Sequence, residues 1–264
     1  MATRPQTLLP WVVREVHRCR PLALGYFQSR RLLRVERKPD RSPVTAADRA
    51  IEERLRRALA RGCPGEPVVG EEFGAPSAPG PTYWTIDPID GTRAFSRGLP
   101  FWGILVGRVE RGRPTLGVCD FPALNLTLAV APRIPAHERV GRSVKPFPRP
   151  RLVRSLDEAV ILHGGAHWWA RTPYARGFAR VVASCYLERA YGDCYGHLWV
   201  LRGLADAVIE YGVKVWDMVP FAAMAQATGR AMVDVQGRSC FIGPESLMAH
   251  PTVAGRIARM LRAP

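Results

Sequence analysis

The stretch WTIDPIDGTRAF, residues 84–95, constrains the fold more than any other part of this chain. An apolar run ends in two aspartates three residues apart, and a Gly-Thr pair follows at once. YWTI (83–86) reads as a short buried strand, and Gly91 and Thr92 stand where a helix begins. Pro88 fixes its own φ and biases Asp87 towards extended backbone, so the chain is expected to turn just after the strand. Asp87 and Asp90 then face one cleft, with Glu71 and Glu72 of VVGEEFG (68–74) a little upstream. Like charges gathered in this way repel unless a cation lies among them. Carboxylate oxygens beside a helix N-terminus that can take a phosphate are the surroundings that Mg²⁺ requires. An isolated DxxD is more simply a capping turn; joined to GEE before it and GT after it, the metal reading is the stronger.

The rest of the chain sets the context. Thr45 with Asp48 three residues on resembles a capping box, with Asp for the usual Glu. Ala47, Ile51, Leu55, Ala58 and Leu59 continue with helical spacing, and Gly62 offers a stop. Residues 7–29, an apolar pattern broken by Pro10 and Pro21, predict a helix with an irregular start or a kink, and KPDRSPVTAAD (38–48) a turn-rich connection. PVVG (67–70) is a further strand, and residues 102–131 suit a meander of three. The Pro- and Arg-rich stretch 132–151 reads as a seam between an α+β half, 1–140, and an α/β half, 141–264. In the latter, strands near 159–163, 183–186 and 205–211 alternate with helices near 173–182 and 194–204. A helix then opens on Asp217, and another spans 251–262.

Composition excludes several classes. The chain has 264 residues, 47% of them hydrophobic, enough for a sizeable core in one domain or two packed halves. The apolar run at 8–13 is too short to span a membrane, and a soluble cytosolic protein is expected. The six cysteines have neither zinc spacing nor a disulfide framework. The net charge of +15 raises the question of nucleic acid, but the excess is almost wholly Arg and is dispersed, Lys occurring only at 38, 145 and 214. RPRLVR (149–154) is the densest basic tract and reads as a solvated linker. Nucleic-acid binding is not indicated.

GEE (70–72), DPIDGT (87–92) and WD (216–217), together with SPVTAAD (42–48), resemble the Mg²⁺-dependent inositol-monophosphatase superfamily, over roughly residues 36–230. That resemblance implies a layered αβαβα sandwich of the inositol-monophosphatase and fructose-1,6-bisphosphatase type, commonly a homodimer. It also implies two to three Mg²⁺ ions per active site. Glu71, Asp87 and the Ile89 carbonyl would hold the first, and Asp87, Asp90 and Asp217 the second, with a weaker third again using Glu71. The implied reaction is hydrolysis of a phosphate monoester, with Glu71 and a Thr92–Asp48 pair orienting the attacking water. Asp90, Gly91 and Thr92 would contact the phosphate.

Within the superfamily, GTRAFSRGLPFWGILVG (91–107), GDCY (192–195) and GEEFG look most like histidinol-phosphate phosphatases. Asp193 would then meet the cationic end of the substrate, or else serve as a helix N-cap before Cys194. Glu210 matches a substrate-facing position that does not discriminate between a hydroxyl and an ammonium. Where relatives read Glu-Ala-Gly-Gly, this chain has QATGR (226–230), with Gln226 removing a charge and Arg230 expected to replace a turn glycine. His163, His167 and His197 lack ligand spacing and are expected at the surface or on a pocket wall. Competing readings are an inositol-1-phosphate, sugar-phosphate or 3′-phosphonucleotide phosphatase and, from another class, a non-catalytic anion- or RNA-binding relative.

Overall fold

The computed structural model describes residues 5–29, 36–37 and 43–263, so residues 38–42 of the expected turn-rich connection lie outside the described residues. The chain divides into two compact units, Met1–Lys145 and Pro146–Pro264.

In the first unit the apolar pattern at 7–29 forms two helices, α1 (Pro5–His17) and α2 (Arg20–Gln28). The interruption falls at residues 18–19. Pro21 sits in the first turn of α2, where its missing N–H has no helical partner to lose. The two-residue strands β1 (Glu36–Arg37) and β2 (Pro43–Val44) pair antiparallel. Next, α3 (Ala46–Gly62) begins where the capping pattern placed it: Asp48 Oδ2 accepts from the Thr45 N–H at 2.8 Å, and Thr45 Oγ1 accepts from the Ala47 N–H at 3.2 Å.

A seven-stranded sheet follows: β3 (Val68–Gly70), β4 (Tyr83–Asp90), then after α4 (Thr92–Arg97) β5 (Gly103–Glu110), β6 (Arg113–Phe121), β7 (Leu126–Ala131), β8 (Ile134–Val140) and β9 (Ser143–Pro146), in that spatial order. β3 and β4 are parallel, while the pairs from β4 to β8 are antiparallel. Leu8, Val12 and Val16 of α1 and Ile51 and Leu55 of α3 pack with Trp84, Ile86, Ile104, Val106 and Val118 of the sheet. The seam expected at 132–151 is therefore largely sheet. β8 and β9 are mostly exposed, so little apolar alternation marks them as strands.

The second unit comprises β10 (Val160–His163), α5 (Ala166–Trp169), α6 (Ala175–Ser184), β11 (Leu187–Arg189), α7 (Asp193–Leu201), β12 (Ala207–Tyr211), α8 (Val215–Thr228), β13 (Ala231–Val233), β14 (Glu245–Ala249) and α9 (Pro251–Arg262). Its sheet runs β11-β10-β12-β14-β13, with β10 parallel to both neighbours and the last two pairings antiparallel. Ile161, Trp169, Phe178, Ile209, Leu247, Ile257 and Leu261 belong to its core. The turn after α8 is intact, because Gly229 supplies the left-handed residue with φ 77°. Arg230 does not replace that glycine but follows it. Its guanidinium donates to the carbonyls of Pro148, Val200 and Leu201, closing the C-terminus of α7, and burial lowers its pKa to about 10. Among the described residues no helix is long and apolar enough to cross a membrane.

Candidate active site

All eight residues of β4 are buried, and its C-terminal end carries the aspartates. Side chains alternate along a strand, so residues three apart would ordinarily point to opposite faces. Here Asp87 pairs with Leu105 and Asp90 with Gly103, so β4 holds one residue more than β5 over this interval. That bulge brings the side chain of Asp90 round to the side of Asp87. One carboxylate oxygen of each lies within 4.8 Å of the other. The strand therefore runs four residues beyond its expected end at 86. Pro88, with no N–H to give to the ladder, is accommodated at the bulge rather than in a turn. Asp87 Oδ1 accepts from the Ile89 N–H at 2.9 Å, which fixes its rotamer from within.

Gly91 has φ 85°, and a Cβ there would stand 2.7 Å from the Phe101 carbonyl oxygen, so glycine alone fits. Thr92 opens α4, and its hydroxyl donates to the Ile89 carbonyl at 2.9 Å. Thr92 and Asp48, expected to orient the attacking water together, share no direct hydrogen bond among the described residues. Asp48 Oδ2 is held by the Thr45 N–H and hydroxyl, and Oδ1 makes no hydrogen bond among the described residues. Burial pushes the Asp48 carboxyl up to about 7; the Thr45 hydrogen bonds oppose that rise, and the charges of Glu72 and Glu71 add to it.

Parallel pairing of β3 with β4 sets Gly70 opposite Ile86, and the Glu71 N–H donates to the Ile86 carbonyl at 3.2 Å. Glu71 thus leaves β3 beside the Asp87 end of β4, half-buried. The Glu72 N–H, in contrast, is taken by Glu52 Oε2 at 2.7 Å. Sequence reasoning passed over Glu52, although Asp48, Glu52 and Arg56 recur every four residues on α3. Beside its apolar positions that helix carries a polar row in which Asp48 and Glu52 are also buried.

In the second unit Asp217 is the third residue of α8, not the residue that opens it or its N-cap. Its Oδ2 accepts from the Lys214 N–H at 2.7 Å. Asp193 is likewise not the N-cap of α7: Gly192 caps, and Asp193 is the first helical residue, exposed and with φ 55°. A non-glycine residue in that region bears a cost of about 1 kcal/mol. The Asp193 N–H donates to Glu210 Oε1 at 3.0 Å, so two of the expected substrate residues meet. Glu210, on β12, is 4% exposed. His197, one turn after Asp193, is buried rather than at a surface. It stacks on Phe221, Nδ1 lies 3.1 Å from the Asp193 carbonyl, and burial lowers its pKa to about 4, which leaves it neutral. His163 is also buried and pairs with Glu188 at 2.9 Å.

The donor set of Asp87 and Asp90 suits a small, hard divalent cation, since two buried carboxylates this close repel one another and oxygen is the donor Mg²⁺ prefers. Similarity to known proteins agrees. The inositol monophosphatase family matches residues 12–263. Histidinol-phosphatase from Mycobacterium tuberculosis is 34% identical over 205 residues, covering 78% of this chain and 79% of the relative. The inositol-1-monophosphatase SuhB of the same species is 31% identical over 229 residues, covering 83% and 78%. Among solved structures, the extragenic suppressor protein SuhB from Bartonella henselae has a TM-score of 0.83 at 20% identity, covering 95% of this chain and 96% of that one. The layered α/β fold expected from the sequence is the one found, and the chain belongs to the inositol monophosphatase family.

Proposed function

We propose that this chain is a Mg²⁺-dependent phosphomonoesterase that hydrolyses L-histidinol phosphate to L-histidinol and inorganic phosphate. The observation that carries the metal-dependent reading is the bulge of β4, which draws the buried carboxylates of Asp87 and Asp90 to within 4.8 Å. Asp87, Asp90, Glu71 and the Ile89 carbonyl, with Asp217 from the second unit, would hold two to three ions. Mg²⁺ supplies Lewis-acid stabilisation of charge developing on the phosphoryl and leaving-group oxygens. Glu71 and Asp48 orient the attacking water and take its proton. Thr45 anchors one oxygen of Asp48, and the other makes no hydrogen bond among the described residues, which leaves it able to accept one from water. The N–H groups of Gly91 and Thr92 hold the phosphate. A cytosolic homodimer acting in histidine biosynthesis completes the reading, on the strength of the family resemblance.

The choice of ester rests on GTRAF and GDCY and on the similarity to a histidinol-phosphatase. A carboxylate at Asp193, with Glu210 holding its backbone, would take the ammonium or imidazole end of the substrate. Phosphate release from L-histidinol phosphate and from myo-inositol 1-phosphate, each with Mg²⁺ and with chelator, tests this. Histidinol phosphate should be strongly preferred, and chelator should abolish release. Asp90→Asn should lower turnover about 10³-fold while leaving the fold intact. Preference for the inositol ester would overturn the substrate assignment and leave the metal site standing. Wild-type turnover in Asp90→Asn would sink the mechanism.

A further inference from the structure

One turn beyond Asp48, α3 carries Glu52, a carboxylate with no solvent exposure. A charge so buried is tolerated only when its oxygens are well paired. Oε1 accepts from Arg56 Nε at 2.7 Å and from the Phe73 N–H at 3.2 Å, and Oε2 accepts from the Glu72 N–H at 2.7 Å. Arg56 carries the hold further, donating to the carbonyls of Val68 at 3.2 Å and Gly74 at 2.6 Å. Its guanidinium lies 5.9 Å from the centre of the Phe73 ring. The Gly70 N–H donates to the same Gly74 carbonyl at 3.0 Å, closing the loop on itself. Glycine at 70 belongs to the device, because a Cβ there would stand 2.0 Å from Glu52 Oε1.

The backbone on either side of Glu71 is therefore fastened twice. β4 takes the N–H of Glu71 itself, and the Glu52–Arg56 pair takes the polar groups of residues 68, 72, 73 and 74. Four hydrogen bonds of one partly buried ion pair converge on this short segment, yet none of them involves the carboxylate of Glu71. A loop end presented by such a frame has little freedom to withdraw its side chain from the neighbouring β4 terminus.

We infer that Glu52 and Arg56 are a positioning pair: by latching residues 68–74 to α3 they hold Glu71 beside Asp87 and so set divalent-cation affinity without touching the ion. The inference rests on the proposed role of Glu71 as a metal ligand. Hydrogen-bonding partners behind a metal ligand commonly govern affinity about 10- to 100-fold. A latch that mattered only for folding would shift the melting temperature and leave the affinity of the folded protein unchanged.

The test uses the full chain with Glu52→Gln and Arg56→Lys, and with Glu53→Gln as a control whose exposed partner is Arg57. Mn²⁺ affinity is read from the free-ion paramagnetic resonance signal, amide exchange at Glu72 and Phe73 by NMR, and Mg²⁺ dependence by phosphate release. Glu52→Gln should exchange faster at both amides and bind Mn²⁺ about tenfold more weakly, with a matching rise in the Mg²⁺ needed for half-maximal rate. Glu53→Gln should match wild type in every readout. If Glu52→Gln does not fold, Arg56→Lys carries the test, since one ammonium cannot reach Glu52 and both carbonyls together. Wild-type Mn²⁺ affinity in a folded latch variant, or unchanged exchange at Glu72 and Phe73, would overturn the inference while the metal reading stands. If wild-type protein neither binds Mn²⁺ nor releases phosphate with Mg²⁺, the metal reading has failed and the positioning role falls with it.

Discussion

Asp48 and Asp120 are both wholly buried in the first unit, one in the first turn of α3 and the other near the end of β6, and their surroundings drive them in opposite directions. Around Asp120, Arg20 donates from Nε at 2.8 Å and from a terminal nitrogen at 2.6 Å, Thr127 donates at 2.7 Å, and His17 stands 3.4 Å away. Burial alone would raise this carboxyl. The hydrogen bonds from Arg20 and His17, the charge of Arg20 and the bond from Thr127 outweigh it and hold the pKa below the usual carboxylate range. Asp48 has Thr45 for its donor and one oxygen without a hydrogen bond, so burial prevails and the pKa rises to about 7. Equal burial thus gives opposite chemistry, and the partners decide which. The carboxylate that ties α1 and α2 to β6 and β7 has its bonding capacity filled. The one assigned to the site keeps capacity in reserve.

Removing the partner of the saturated aspartate should produce the largest stability change. Arg20→Ala leaves the Asp120 charge buried with Thr127 and His17 alone, and chemical denaturation at neutral pH should show a loss of about 3 kcal/mol. Turnover per folded molecule should not change, because none of the side chains in this network is among those assigned to the site. A loss below about 1 kcal/mol would mean that water reaches Asp120 readily and that the contrast with Asp48 is overdrawn.

Asp48→Asn should act with the opposite sign on stability. A neutral amide relieves the burial of a charge that the site does not neutralise, so in chelator above neutral pH the variant should gain about 1–2 kcal/mol. Turnover with Mg²⁺ should fall about 10²-fold, as expected for loss of a residue that takes a proton. Lower stability together with full activity would place Asp48 among the purely structural carboxylates.

The pH dependence of stability separates the two aspartates within one protein. For Asp48 the folded pKa, about 7, lies above the unfolded value. Its contribution is therefore fully present below about pH 4 and is lost as pH rises towards neutrality. For Asp120 the folded pKa is depressed, so its contribution is present above about pH 4 and lost as pH falls through the lowered value. Melting temperature measured against pH in chelator should fall on both sides, and Asp48→Asn should flatten only the neutral side. Flattening on the acid side instead would reverse the assignment.

What the sequence disclosed followed from which interactions are local. The capping box at Thr45 and Asp48, the buried run of β4 and the glycine at 91 all depend on neighbours a few residues away, and all were legible. The bulge between Asp87 and Asp90 depends on register against β5, so the same residues read as a turn at Pro88. Asp193 and Asp217 were assigned as helix openings one or two positions out. The left-handed backbone of Asp193 and the extended backbone of Lys214, which decide those starts, have no residue signature here. β8 and β9 escaped because strands exposed along most of their length carry no apolar period. The role of Glu52 needed the loop at 72–73, twenty residues further on, to be folded against it.

The smallest effect is expected one residue along the same helix. Arg57 and Glu53 repeat the i,i+4 spacing of Arg56 and Glu52 at 3.0 Å, but their side chains are 62% and 57% exposed. Water screens such a pair and side-chain entropy opposes it, so Glu53→Gln should cost less than about 0.5 kcal/mol by chemical denaturation. Added salt should remove even that difference. Glu52→Gln should cost several times more, because two backbone N–H groups and a guanidinium would face an amide that cannot satisfy them all. Equal losses in the two variants would mean that charge spacing along α3, not burial against the 70–74 loop, gives the Glu52–Arg56 pair its strength.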